Sequence, residues 1–168
     1  MSVRTLVIGF AFAFVLSAVP QIAFADGPAS YTDAVAGREL FATPTLGVFA
    51  GVATGSLPGS WSASIWHTPL GPAPSSITGG SFALATAVDG STAIVRGTFS
   101  AGTVSQTGGF NGCANQTYAV QALLGQVGVG GGTGSGTVAA TLTHYRTAVF
   151  GYCVTYKATV VGIVGLIF

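Results

Sequence analysis

The chain has 168 residues, of which 49% are hydrophobic and only 5% charged, with 26 glycines and a formal net charge of +1. Ordinary domains carry about 25% charged residues, and disordered chains pair low hydrophobicity with high charge, so composition excludes a disordered chain. Past residue 25 the cations Arg38, Arg96, Arg146 and Lys157 balance the anions Asp26, Asp33, Glu39 and Asp89; zero net charge gives no general attraction for nucleic acid or anionic lipid.

Residues 1–25 read as a helical signal peptide. Arg4 supplies the basic start, residues 6–19 are apolar or small, Pro20 breaks the run, and Ala23-Phe24-Ala25 offers the small residues of a cleavage site. The apolar run is shorter than the roughly 20 residues of a spanning helix. The expectation is cleavage after Ala25, a secreted location (extracellular or periplasmic), and membrane contact through this segment alone. The 143 residues from Asp26 to Phe168 then form one domain, large enough to bury roughly two-thirds of its unfolded surface.

Residues 26–44 predict a helical turn or irregular N-terminal arm, with Thr32-Asp33 as a cap before residues 34–40 and Pro44 as its end. Residues 45–168 predict the barrel domain. A strand over residues 46–54 precedes the turn-like residues 55–59. Residues 60–67 then alternate, Trp61, Ala63 and Ile65 against Ser60, Ser62 and Ser64, which is the period of a half-buried strand. Residues 68–76, with Pro69, Pro72 and Pro74, form a loop. Residues 82–88 and 91–99 are joined by Asp89-Gly90, a two-residue hairpin signal. Residues 100–109 predict a turn and a short strand around Val104. Residues 116–124, 137–147 and 152–163 complete the strands, with a Gly-rich loop over 125–136.

Connections this short leave no room for crossover helices, so pairing is antiparallel. The fold class is all-β: a single antiparallel closed β-barrel of about eight strands, preceded by the signal peptide. Closure is preferred over a sandwich because residues 158–168 are apolar on both faces, which suits burial and not an edge. Gly97, Gly151 and Gly162 would supply bends. The two cysteines, Cys113 and Cys153, are expected to pair in an exported chain.

Motifs for common chemistries fail on their context. Gly134-Ser135-Gly136-Thr137-Val138-Ala139 fits a dinucleotide fingerprint but leads into a strand and not a helix. Gly79-Gly80-Ser81 misses a nucleophile elbow for the same reason. His67 and His144 have no ligand-spaced partner, so no metal and no cofactor is expected. Asn115-Gln116-Thr117 matches a glycosylation acceptor.

The candidate ligand-binding residues are Arg38, Glu39, His67, His144, Tyr145 and Arg146. On a strand His144 and Arg146 share one face and Tyr145 takes the other. Arg38-Glu39 is a charged pair among apolar residues and must be exposed or paired; folded over a barrel mouth it would hold a polar group.

Residues 79–84 (Gly-Gly-Ser-Phe-Ala-Leu), Arg96-Gly97-Thr98-Phe99, and Gly131-Gly132-Thr133-Gly134 leading into Val138 together resemble the allene oxide cyclase-like and dirigent-like eight-stranded barrels, over roughly residues 45–168. The resemblance implies an apolar cavity that binds, or guides cyclisation of, small hydrophobic molecules. The family's pocket acids and arginines match no motif here, so no catalytic residue carries over. The leading expectation is a barrel that binds a small apolar molecule in its interior, without catalysis. A cyclase or isomerase of the same family is the second expectation, and a small outer-membrane or surface-assembling barrel the third.

Overall fold

The computed structural model describes residues 28–88 and 91–168. The expected signal peptide and Asp89-Gly90 turn lie outside the described residues. Eight antiparallel strands follow one another around a closed barrel, and the last pairs with the first. They are β1 (Ser30–Thr43), β2 (Leu46–Gly55), β3 (Gly59–His67), β4 (Ser75–Val88), β5 (Ser91–Gly108), β6 (Gln116–Val129), β7 (Gly134–Val149) and β8 (Tyr152–Ile167).

Alternation builds the wall. On β6, Tyr118, Val120, Ala122 and Leu124 are buried while Gln121 and Leu123 face out. On β5, Ala93, Val95 and Phe99 are buried while Thr92, Ile94 and Thr98 are exposed. The apolar side chains thus fill the inside, and the outer face carries mostly Ser, Thr, Ala and Val. The apolar interior differs from the polar lumen of transmembrane barrels.

Three expectations are corrected. The arm over residues 26–44 is neither helix nor irregular: it is β1, and it closes the barrel. Asp33, Val35, Gly37 and Glu39 point inward at a period of two, and β1 bonds β2 on one edge and β8 on the other. Two ready-made edges outweigh the weak helical signal of one capping pair. Residues 100–108 are not a turn but the continuation of β5, which absorbs register shifts at three places, as bulges do in a curving wall. Residues 158–168 are not buried on both faces, for Val161 and Ile163 are 57% and 55% exposed. What satisfies β8 is hydrogen bonding on both edges.

Register sets two ends. The lower end holds the β2–β3, β4–β5 and β6–β7 connections and both ends of the described chain. It is stoppered by Leu57, whose amide donates to Asp33 Oδ1 at 2.7 Å, and by Thr86 donating to the Pro58 carbonyl at 2.8 Å. The upper end holds the other four connections. There β7 and β8 continue past their last partners on β6 and β1, so residues 145–157 form a two-stranded ribbon. The Cys113–Cys153 disulfide fastens this ribbon to the β5–β6 loop.

The ribbon turns at Phe150-Gly151, with φ of 48° and 82°. Both turn residues of a type I′ hairpin need positive φ, a place for Asn-Gly and not for an aromatic. Phe150→Asn is expected to raise the unfolding free energy by roughly 1 kcal/mol, read from urea denaturation. A loss of stability would show that the ring contributes to the fold.

Candidate functional site

Glu39 is the inward residue of β1 opposite Phe49 of β2. Continuing the β1–β8 register brings it level with Ala158, and Ala158 is paired with His144 of β7. Ala158 is small, so the Glu39 and His144 side chains meet across it. His144 Nε2 stands 3.0 Å from Glu39 Oε2, with the two side chains 14% and 10% exposed. The two groups are in contact, although the ring nitrogen is not aligned for a hydrogen bond. Gly47 opens the space beside the carboxylate: a β-carbon there would lie 3.2 Å from Glu39 Oε1 and 2.6 Å from the Phe49 ring.

Tyr118 completes the cluster. Its ring is tilted against the His144 ring at 5.3 Å between centroids, and its hydroxyl donates to Gln116 Oε1 at 3.1 Å. Burial pushes the Tyr118 hydroxyl above its ordinary value of 10.0; the Arg146 charge opposes this and the Glu39 charge adds to it. At neutral pH the group is therefore a neutral hydrogen-bond donor.

Beneath the cluster the interior holds an open volume of about 50 Å³. Its lining is entirely apolar, with Phe49, Trp61, Phe82, Phe99, Leu142 and Val160 among the contributors. Phe49 belongs to the same level as Glu39, and Leu142 and Val160 lie two residues below His144 and Ala158 on their strands. The polar pair sits as a lid on an apolar void.

Of the six candidates, Glu39 and His144 come together. Arg146 lies close enough for its charge to act on Tyr118, but its guanidinium donates to the Gly112 carbonyl at 3.3 Å, and its amide donates to Asn115 Oδ1 at 3.1 Å. It clamps the β5–β6 loop. Arg38 projects from the outer face and is exposed, since alternation sends it opposite to Glu39. Tyr145 carries the Lys157 ammonium 5.3 Å from its ring centroid and lies 6.5 Å from Tyr156. His67 is buried where β3 ends, its Nδ1 2.8 Å from the Thr68 carbonyl oxygen. There it belongs to the β3–β4 loop.

Sequence reasoning missed Tyr118, Gln116, Gly47 and Ala158. Tyr118 was within reach, because it shares the apolar phase of Val120, Ala122 and Leu124. Gly47 and Ala158 matter for what they lack, and no local pattern marks them. Among the described residues no group of three or more His, Cys, Asp or Glu gathers. Comparison with protein-family models, curated proteins and solved structures yields no match.

Proposed function

We propose that this is an exported barrel that takes the apolar end of a small amphipathic molecule into its upper interior and holds the molecule's polar group at Glu39 and His144. The observation that carries the reading is the Glu39–His144 pair, a carboxylate and a ring nitrogen 3.0 Å apart without an aligned hydrogen bond, directly above a wholly apolar void. Buried polar groups are almost always hydrogen-bonded, so a pair that faces a void with bonding capacity left over is a place for a ligand's polar atom. Size supports the division of the ligand into two parts. Pockets that enclose a drug-sized molecule run to roughly 300–1,000 Å³, and about 50 Å³ accepts a short chain or the edge of a ring. The Cys113–Cys153 disulfide supports export, because such bridges persist in oxidising compartments.

The test is twofold. Protein from its own source is weighed by native mass spectrometry before and after solvent extraction. Short straight-chain acids, amines and alcohols are then titrated in a Trp66→Phe background, where Trp61 at the void reports by its emission. A shift in emission and a rise in melting temperature are expected, both lost on filling the void with Ala140→Val. An empty protein from its source, with no probe producing either signal, rules the reading out.

A second reading is favoured by the same pair. A carboxylate and an imidazole 3.0 Å apart can exchange a proton with a bound molecule, which suits an isomerase or cyclase of the kind found among allene oxide cyclase-like and dirigent-like barrels. Turnover by the parent protein separates the two: turnover lost in His144→Gln at saturating ligand supports catalysis, and turnover that survives ends it.

A further inference from the structure

The exposed rings are not spread over the barrel. Among the described residues the large exposed aromatics are Phe41, Trp66, Phe110, Phe150, Tyr152 and Tyr156, and all six belong to the upper end or its ribbon. The exposed large residues of the flanks and lower end, such as Ile94, Leu123, Val129 and Ile163, are all aliphatic.

Phe150, at the ribbon tip, is 97% exposed in a turn that an aromatic fits poorly. It packs on nothing and gains the fold nothing. Tyr152 and Val154 share one face of the ribbon with Val149, the face opposite to Cys153 and its disulfide. The bridge and the Arg146 contacts to Gly112 and Asn115 fix this face in place, so little entropy is lost when it meets a partner.

The exposed charges near that end share one sign. Arg38 is exposed on the outer face of β1 just below the ribbon and Lys157 at the ribbon's base on β8, while Arg96 is exposed on β5 nearer the lower end. The described acids are Asp33, fully buried, and Glu39, held inside against His144. The balanced total therefore conceals an upper end whose exposed charges are positive.

We propose that the upper end docks on an anionic lipid surface, with Phe150, Tyr152 and Phe110 entering the interface and Arg38 and Lys157 meeting the headgroups. Aromatic and aliphatic side chains bordered by cations are the chemistry of interfacial binding. Exposed Leu40, Val149 and Val154 favour lipid over a polysaccharide, for which only ring faces would serve. The proposal rests on surface residues and is independent of the Glu39–His144 reading.

The experiment is flotation with vesicles of phosphatidylcholine alone and of phosphatidylcholine with phosphatidylglycerol. It uses protein exported from a secretory host, its N-terminus fixed by mass. Binding to the anionic vesicles is expected, weakened by salt. Phe150→Asn combined with Tyr152→Ser should reduce it by about tenfold or more, since each ring removes substantial apolar area. Far-ultraviolet dichroism and the melting temperature confirm that the variant is folded. Equal binding of variant and wild type, no binding to either vesicle, or retention on insoluble polysaccharide in place of vesicles would each overturn the proposal.

Discussion

Trp61→Ala is expected to lower the unfolding free energy by about 3 to 5 kcal/mol, among the largest single effects in the molecule. Trp61 is 7% exposed and lies between Gly51 on β2 and Leu84 on β4. Its ring lies over Gly37, where a β-carbon would stand 2.8 Å from Cζ2 and would also meet the Ala50 carbonyl, so the glycine admits both the indole and the neighbouring backbone. The indole N–H donates to the Val52 carbonyl at 3.0 Å. Removal forfeits the buried area and this hydrogen bond, and it joins the emptied space to the void it already lines. Denaturant titration measures the loss. Indole added to the variant should restore part of it, because a ligand that binds only the folded form stabilises it by mass action. A loss below about 1 kcal/mol would mean that the barrel collapses onto the gap.

Removing the disulfide by Cys113→Ser with Cys153→Ser is expected to cost about 3 to 4 kcal/mol in the chain-entropy account. The bridge joins residues 40 apart, and the unfolded chain without it regains that loop freedom. The native cost falls on one place. Both edges of the barrel wall remain paired, whereas the ribbon over residues 145–157 keeps only its internal ladder and the Arg146 contacts. Hydrogen exchange should therefore show the ribbon losing protection before the barrel does. Equal stability of the double variant and the parent would remove the bridge from the account of the fold.

Much of the fold was legible because strand alternation is a local property. Trp61, Ala63 and Ile65 mark an inner face with no knowledge of any other strand, and the structure buries Trp61 and Ala63 there. The pairing of Cys113 with Cys153 followed from their number and from the expectation of export. The first strand was illegible for a reason of the same kind. Its inner face is Asp33, Val35, Gly37 and Glu39, two acids and a glycine among four residues, so no apolar alternation announces it. Asp33 is buried because the amide of Leu57 needs an acceptor, and that partner comes from another turn.

The candidate site divides along the same line. Sequence placed Glu39 and His144 among six candidates, and chain order gave no reason to join them to each other. They meet because β8 lies between β1 and β7 and carries Ala158 at the level they share. The segregation of exposed aromatics to one end also depends on which connections fall at that end.

By itself the sequence determined a β chain with one bridge and an apolar interior, because alternation, cysteine count and composition act within a strand or over the whole chain. The tertiary structure alone decided which polar groups share the void and which end presents the rings. Register between strands is fixed by hydrogen bonds between distant residues, and a one-residue change in it turns every side chain to the other face.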